Sequence, residues 1–400
     1  MRMTSPPALD LDMKIVSVHG FALSSPYGNG NSLGQPNGLK STGFLEVRVE
    51  SGHIGWGETY TGVYAPELVA PLADYLAPLL IGKKLGDQSL IEELSQIPFI
   101  GRSGALRSVL SGVELAIWDC RGKVLEKPVS ALLTIAPRSQ VRVYASGGSA
   151  ALEAQEVFND AIEQLSRGFL AYKMRVGFQA WESDLERVGF AREAVGGLPL
   201  MVDAIMGTLR PGWDYETALS RARELEKFKL AWLEEPISPD QVSEQAKIRE
   251  QVGVPIASGE AYSGKLEIGS LLSLGAVDIL QVDATHSGGV SECLSWISKA
   301  ADEKKGSSLH VWGSPIALAA NASVAASTPH ETILEVPTVS LEIAEEMWIE
   351  KPKIRNGLLE LSDEPGFGIH ISESMKLDYR LVPGSGYRLP SLHQSRGSDQ

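Results

Sequence analysis

A (β/α)8 barrel carrying an N-terminal α+β capping domain is the fold that three features of the sequence predict. Eight short apolar runs recur at regular intervals between positions 141 and 337, each interval matching one strand, one helix and two short loops. The stretch before them has a different rhythm, two or three strands followed by three helical patterns. The 400 residues also exceed the roughly 250 of a barrel alone. We therefore place the capping domain at 13–135, the barrel with its active site at 136–340, and a turn-rich returning segment at 341–385 that closes the cap. Residues 1–12 and 386–400, polar and Pro-containing, are expected to be flexible tails.

Within the cap the pattern reads as a strand MKIVSVHGFAL, a Gly/Asn-rich loop from Ser24 to Lys40, a strand GFLEVRVES and the segment GHIGWGETY. Helices are expected over 65–80, 89–97 and 105–123. The barrel strands are VRVYAS (141–146), AYKMRV (171–176), LMVDAI (200–205), LAWLEE (230–235), PIASGE (255–260), DILQVD (278–283), SSLHVW (307–312) and TILEVP (332–337).

Composition narrows the function. With 43% hydrophobic and 22% charged residues the chain can bury a sizeable core. Its 36 basic and 50 acidic residues leave a formal charge of −14, which repels a phosphate backbone, so no nucleic-acid partner is expected. No run is long enough to span a membrane, and Met1 to Asp12 has no apolar signal core. Cys120 and Cys293 stand alone, outside any CxxC pair, which suits a reducing, cytoplasmic setting and no thiolate metal site.

Barrels of this kind build their active sites at the C-terminal strand ends, and here a polar residue stands at almost every one. Asp203, Glu234 and Glu260 end the third, fourth and fifth strands, each one βα unit beyond the last. Three converging carboxylates repel one another unless a cation neutralises them, and hard oxygen ligands suit Mg2+. The competing reading of any one of them is a helix N-cap. Of Glu234 and Glu235, alternation lets only one face the lumen; we place Glu234 there and Glu235 behind it. Lys173 and Arg175, alternate positions on one strand, face the same way and form a clamp for a substrate carboxylate, or else reach the rim to pair with helix carboxylates. Arg175 stays protonated, whereas Lys173 is able to titrate, its pKa depressed by the neighbouring guanidinium.

Asp283 and His310 end the sixth and seventh strands, which are neighbours in such a barrel. An Asp beside a His fixes the imidazole tautomer and makes His310 a general base. Glu335, on the eighth strand, would donate a hydrogen bond to a developing oxyanion if held protonated, or would pair with Lys173. Ser146, ending the first strand, and Ile205 join the substrate-binding set.

This ordered set resembles the enolase superfamily, and within it the mandelate racemase subgroup. The resemblance runs through GWGE (Gly55 to Glu58), ELAIWDCRGK (Glu114 to Lys123), KMR, MVDAI, WLEEP, SGE, LQVDATHSGG, LHVWGSP and LEVP. It implies a cap closing over the barrel mouth, Mg2+ on Asp203, Glu234 and Glu260, a His310–Asp283 dyad, and Glu335 beside the substrate carboxylate. LHVWGSP is similar to sugar-acid dehydratases and cycloisomerases. The family's mobile substrate-contacting loop falls at Ser24 to Gly38, which makes Tyr27, and Tyr60 after GWGE, lid contacts. Two positions depart from the family pattern: Arg175 stands where a second Lys is usual, which disfavours two-base racemisation, and Ile205 stands where an Asn often meets the substrate's α-hydroxyl.

The activity this implies is Mg2+-dependent abstraction of the proton α to a carboxylate, followed by loss of water from a sugar acid to give a 2-keto-3-deoxy acid. The first alternative is an isomerase of the same subgroup, a cycloisomerase or a racemase or epimerase. The second is a catalytically silent metal-binding scaffold. The expected partner is a small carboxylate substrate, with neither nucleic acid nor membrane, in a homo-oligomer.

Overall fold

A computed structural model describes residues 11–30, 34–87, 89–98 and 100–388. Three antiparallel strands open the chain, β1 (Ile15–Pro26), β2 (Leu39–Val49) and β3 (Ile54–Thr59). They are covered by α1 (Thr61–Tyr64), α2 (Val69–Leu80), α3 (Leu90–Leu94) and α4 (Gly104–Val124), and α5 (Val129–Leu133) leads on to the barrel. The GWGE glycines follow from how closely α4 lies on β3. A Cβ added at Gly55 would sit 2.0 Å from the Ala116 carbonyl oxygen, and one at Gly57 1.9 Å from that of Gly112, so only glycine admits the helix.

The eight apolar runs are the eight barrel strands: β4 (Gln140–Ser146), β5 (Tyr172–Arg175), β6 (Leu200–Asp203), β7 (Trp232–Glu234), β8 (Ile256–Ser258), β9 (Ile279–Val282), β10 (Gly306–Leu309) and β11 (Ile333–Pro337). They pair in parallel in chain order, and β11 pairs with β4 to close the ring. Helices α6 (Ala154–Ser166), α7 (Trp181–Val195), α8 (Tyr215–Leu225), α9 (Val242–Gln251), α10 (Lys265–Ser273), α11 (Gly289–Asp302) and α12 (Pro315–Ser327) join successive strands. Tyr144, Met201 and Trp232 fill the lumen, with the Tyr144 and Trp232 rings edge to face at 5.4 Å. A packed lumen leaves the strand tops as the place where polar side chains meet.

Beyond the barrel come α13 (Glu342–Met347), β12 (Ile354–Arg355), β13 (Leu358–Glu360) and α14 (Glu373–Asp378). β13 pairs antiparallel with the start of β4, and the chain then returns to the cap, where Lys376 meets Glu46 of β2 at 3.0 Å. Among the described residues no helix is long and apolar enough to cross a membrane.

Two local expectations need correction. The loop expected from Ser24 to Lys40 is narrower, because Ser24, Ser25 and Pro26 pair with Ser41, Lys40 and Leu39 as a continuation of the β1–β2 ladder; Asn31 to Leu33, within that loop, lie outside the described residues. The segment expected to be a flexible tail begins tied down, as Tyr387 N–H donates to the Val63 carbonyl at 2.8 Å and Arg388 N–H to Gly34 at 3.0 Å.

Candidate active site

The strand-end residues meet at the barrel mouth beneath the cap. Lys173 Nζ, almost fully buried, lies 2.6 Å from Glu234 Oε1, 3.0 Å from Glu335 Oε1 and 3.7 Å from Asp203 Oδ2. Arg175 stands 3.8 Å from Asp203 Oδ2 and 3.9 Å from Glu335 Oε1, and it also donates to Ser146 Oγ at 3.0 Å and the Gly147 carbonyl at 2.9 Å. Glu234 is fixed from below by Trp232 Nε1 at 2.9 Å and Gln281 Nε2 at 2.7 Å. Glu235 is equally buried, but it turns away at φ 41° and its Oε1 has no hydrogen-bond partner.

His310 faces this group from the next strands. Its Nδ1 lies 2.8 Å from Asp283 Oδ2, while Nε2 points to Glu260 Oε2 at 3.4 Å and Glu335 Oε2 at 4.0 Å. Asp283 is itself held by Thr285 N–H at 2.8 Å, the Thr285 hydroxyl at 2.9 Å and Asn321 Nδ2 at 3.0 Å. Such a carboxylate accepts the Nδ1–H and leaves Nε2 as the working nitrogen.

Two buried carboxylates of the cap fasten the loops behind these strands. Glu58 accepts from Ser314 N–H at 2.9 Å, Ser314 Oγ at 2.6 Å and Ala317 N–H at 3.1 Å. It thereby caps α12, which follows the strand carrying His310. Glu114 accepts from Val290 N–H at 2.9 Å and Ser291 Oγ at 2.6 Å at the start of α11, which follows Asp283. Acceptors at a helix N-terminus satisfy otherwise orphaned donors, so the cap sets the rims of both strands.

The electrostatics correct two expectations. Burial pushes Lys173 down, but Glu234 and Glu335 outweigh it and hold the ammonium well above its ordinary range, opposite to the depression expected from Arg175. Burial likewise raises Glu335, yet Lys173, His310 and Arg175 bring it below the usual carboxylate range; it is an ionised partner of Lys173, not a protonated donor. His310 is lowered by burial and raised more strongly by Glu260 and Asp283, to about 10, so drawing Glu260 away returns the imidazole toward its ordinary range. Asp203 is pushed up to about 6 by burial and by Glu234, and Glu235 to about 8 by burial and by Asp203.

These six carboxylates, Asp203, Glu234, Glu235, Glu260, Asp283 and Glu335, outnumber Lys173, Arg175 and even a protonated His310. An all-oxygen donor set with excess negative charge and raised carboxyl groups fits a hard divalent cation. Among the described residues no three acidic, His or Cys side chains already enclose one point, since Glu234 is drawn to Lys173 and Glu260 to His310. Ile205, two residues after Asp203, and Glu235, next to Glu234, have φ of 49° and 41°, a strained choice for non-glycine residues and above all for β-branched Ile.

Above the charged floor lies a cavity of about 120 Å³. Ile205 and Ser146 line its side, and Tyr27, Tyr60, Tyr64, Trp312 and Tyr387 roof it. Trp312 Nε1 donates to the Tyr27 hydroxyl at 3.1 Å, the Tyr60 ring meets His310 edge-on at 5.6 Å, and Trp312 and Tyr387 are edge to face at 5.3 Å. Sequence reasoning placed Tyr27, Tyr60, Ser146 and Ile205 here but missed Tyr64, Trp312 and Tyr387. Trp312 had a signal, since it shares strand parity with His310, and Tyr64 had one too, one helical turn past Tyr60. Tyr387 sits in polar, Gly-rich sequence and had none.

Comparison with known proteins places the family of the chain. Residues 156–375 match the enolase C-terminal domain-like family, and 38–134 the N-terminal domain of mandelate racemase and muconate lactonizing enzyme. D-galactarolactone cycloisomerase of Agrobacterium fabrum is 30% identical over 84% of this chain and 90% of its own length, and arabinonate dehydratase of Saccharolobus solfataricus 30% over 84% and 89%. A structure of L-talarate dehydratase from a Polaromonas species, complexed with Mg and L-glucarate, superposes with a TM-score of 0.77 at 28% identity, covering 92% of this chain and 98% of that one. The chain belongs to the enolase superfamily, in its mandelate racemase and muconate lactonizing enzyme branch.

Proposed function

We propose that the protein is a Mg2+-dependent lyase that removes the proton α to the carboxylate of a sugar acid and eliminates water from the β carbon, giving a 2-keto-3-deoxy acid. The observation that carries this reading is the His310–Asp283 pair, 2.8 Å apart, set across the cavity floor from Lys173 and Arg175. Asp203, Glu234 and Glu260 are the ligands proposed for Mg2+, which supplies a Lewis acid for the charge that develops on the substrate carboxylate.

His310 Nε2 takes the Cα proton while Nδ1–H keeps donating to Asp283. The C–H electron pair moves toward the carboxyl carbon as an enediolate, whose charge Lys173 and Arg175 face as fixed cations. That pair then forms the Cα–Cβ double bond and breaks the bond from Cβ to its hydroxyl. The departing hydroxyl recovers the proton from Nε2 and leaves as water, and the enol tautomerises to the 2-keto acid, giving up its O–H proton to solvent while Cβ takes one from solvent. Tyr60 against His310 and Trp312 above keep bulk water from the base. One base suffices, which agrees with Arg175 where a second base would stand.

The similarity to D-galactarolactone cycloisomerase favours one second reading. If the β oxygen belongs to a ring, the same elimination opens the ring and nothing leaves, so the product is an isomer. Incubating the protein with a library of acid sugars and Mg2+ in deuterated water tests both. A 2-keto acid lighter than its substrate by one water, reacting with semicarbazide, supports the lyase; a ring-opened product of unchanged formula supports the isomerase. Absence of α-proton exchange with every acid leaves a non-catalytic metal scaffold.

A further inference from the structure

The 120 Å³ cavity over the floor is smaller than the roughly 300 to 1,000 Å³ of ordinary small-molecule sites. A second chamber of about 430 Å³ adjoins it, and Tyr60, Tyr64, Tyr387, Thr208 and Glu260 line both. Its far side is formed by Glu235, His286, Gly207 and Ala105. We propose that this chamber receives the distal, hydroxyl-terminated end of the substrate, so that the enzyme prefers monocarboxylic sugar acids to dicarboxylic ones. The proposal rests on the reading of the floor given above and deepens it.

The chamber's chemistry decides what it accepts. Two buried polar atoms on its walls, Glu235 Oε1 and His286 Nδ1, have no hydrogen-bond partner, and such groups are costly unless something bonds to them. The wall hydroxyls are already engaged: Tyr60 and Tyr64 pair at 3.3 Å, and Thr208 donates to the Ile205 carbonyl at 3.0 Å. Two carboxylates, Glu235 and Glu260, border the chamber, and among the described residues no Lys or Arg does. A terminal hydroxyl therefore finds acceptors there. A second substrate carboxylate finds no Lys or Arg to pair with there, since Lys173 and Arg175 line the first cavity only.

The test compares a six-carbon aldonate, the aldarate of the same configuration and a four-carbon aldonate. It uses the full-length protein with Mg2+ and two substitutions at Ala105, an exposed side chain on the first turn of α4. The unsubstituted enzyme should favour the aldonate over the aldarate at least tenfold in kcat/KM. Ala105→Arg should shift that ratio at least tenfold toward the aldarate. Ala105→Phe should lower kcat/KM for the six-carbon aldonate at least tenfold relative to the four-carbon one. An enzyme that handles the aldarate as well as the aldonate, or an Ala105→Phe protein that loses both chain lengths equally, overturns the proposal. If no acid exchanges its α proton, the lyase reading fails instead; calorimetric titration of aldonate and aldarate into Ala105→Arg still reads the chamber, and unchanged relative affinities reject it.

Discussion

The pocket floor is charged and comes from barrel strands that recur at a regular interval along the chain, whereas its roof is aromatic and is gathered from distant parts of the sequence. Tyr27 and Tyr60 come from the cap, Trp312 from a barrel loop and Tyr387 from near the C terminus. Floor residues hold one another by ion pairs of 2.6 to 4.0 Å. Roof residues meet edge to face and depend on backbone anchors such as Tyr387 N–H to Val63. On the proposed reading the difference separates two tasks: barrel strands fix the reacting groups, and the cap and terminal segments shape what reaches them.

Substitutions on either side should therefore fail in different ways. The largest effect is expected at the proposed metal ligands. Asp203→Asn should weaken Mg2+ binding on the order of a hundredfold or more, beyond what loss of an outer partner costs, as read by calorimetric titration. Unchanged affinity would remove Asp203 from the ligand set. Asp283→Asn should keep fold and Mg2+ affinity but misplace the imidazole proton, lowering kcat by about 100- to 10,000-fold with KM nearly constant. If KM rises while kcat holds, Asp283 belongs to binding and not to proton transfer.

The roof should respond more gently. Glu58→Ala leaves the Ser314 and Ala317 donors and nearby Lys40 without their acceptor and counter-charge, at about 1 to 3 kcal/mol of stability. Because Lys40 Nζ holds the Trp312 carbonyl at 3.1 Å, KM should rise more than kcat falls; a pure kcat effect would mean that Glu58 acts on the floor. The smallest effect concerns the Glu46–Lys376 contact that anchors the returning segment. Burial raises Glu46, but Lys376 and Arg48 outweigh it and hold it below its ordinary value. A depressed carboxyl stabilises the fold above its unfolded pKa and loses that contribution as pH falls through the folded one. Lys376→Ala should therefore cost less than about 1 kcal/mol near neutrality, with the difference from the parent vanishing in acid melts. A difference that persists in acid would trace the loss to packing on Phe21 and Trp56, which Lys376 also covers.

The same contrast explains what was legible in the sequence. Side-chain alternation along each strand and the regular return of the next strand fix where Asp203, Glu234, Glu260, Asp283 and His310 emerge, so the floor could be read without coordinates. Their ionisation could not. Whether Lys173 is raised or lowered depends on three carboxylates within 3.7 Å, a sum no linear pattern contains. Cap motifs were visible as motifs, but the use of Glu58 and Glu114 as acceptors at the starts of α12 and α11 emerges only when the domains meet. Tyr387 was lost because a polar, Gly-rich terminus carries the composition of a loose tail even when its backbone is bonded into the cap.

The central claim is that His310 moves the substrate's α proton. It is tested most directly by following hydrogen–deuterium exchange at Cα of a sugar acid, by proton NMR in deuterated water with Mg2+, for the parent and His310→Asn. The account predicts exchange with turnover in the parent, and loss of both in His310→Asn with folding and Mg2+ affinity retained. Exchange at the parental rate in His310→Asn, together with its loss in Lys173→Met, would contradict the account and put the base on the opposite face.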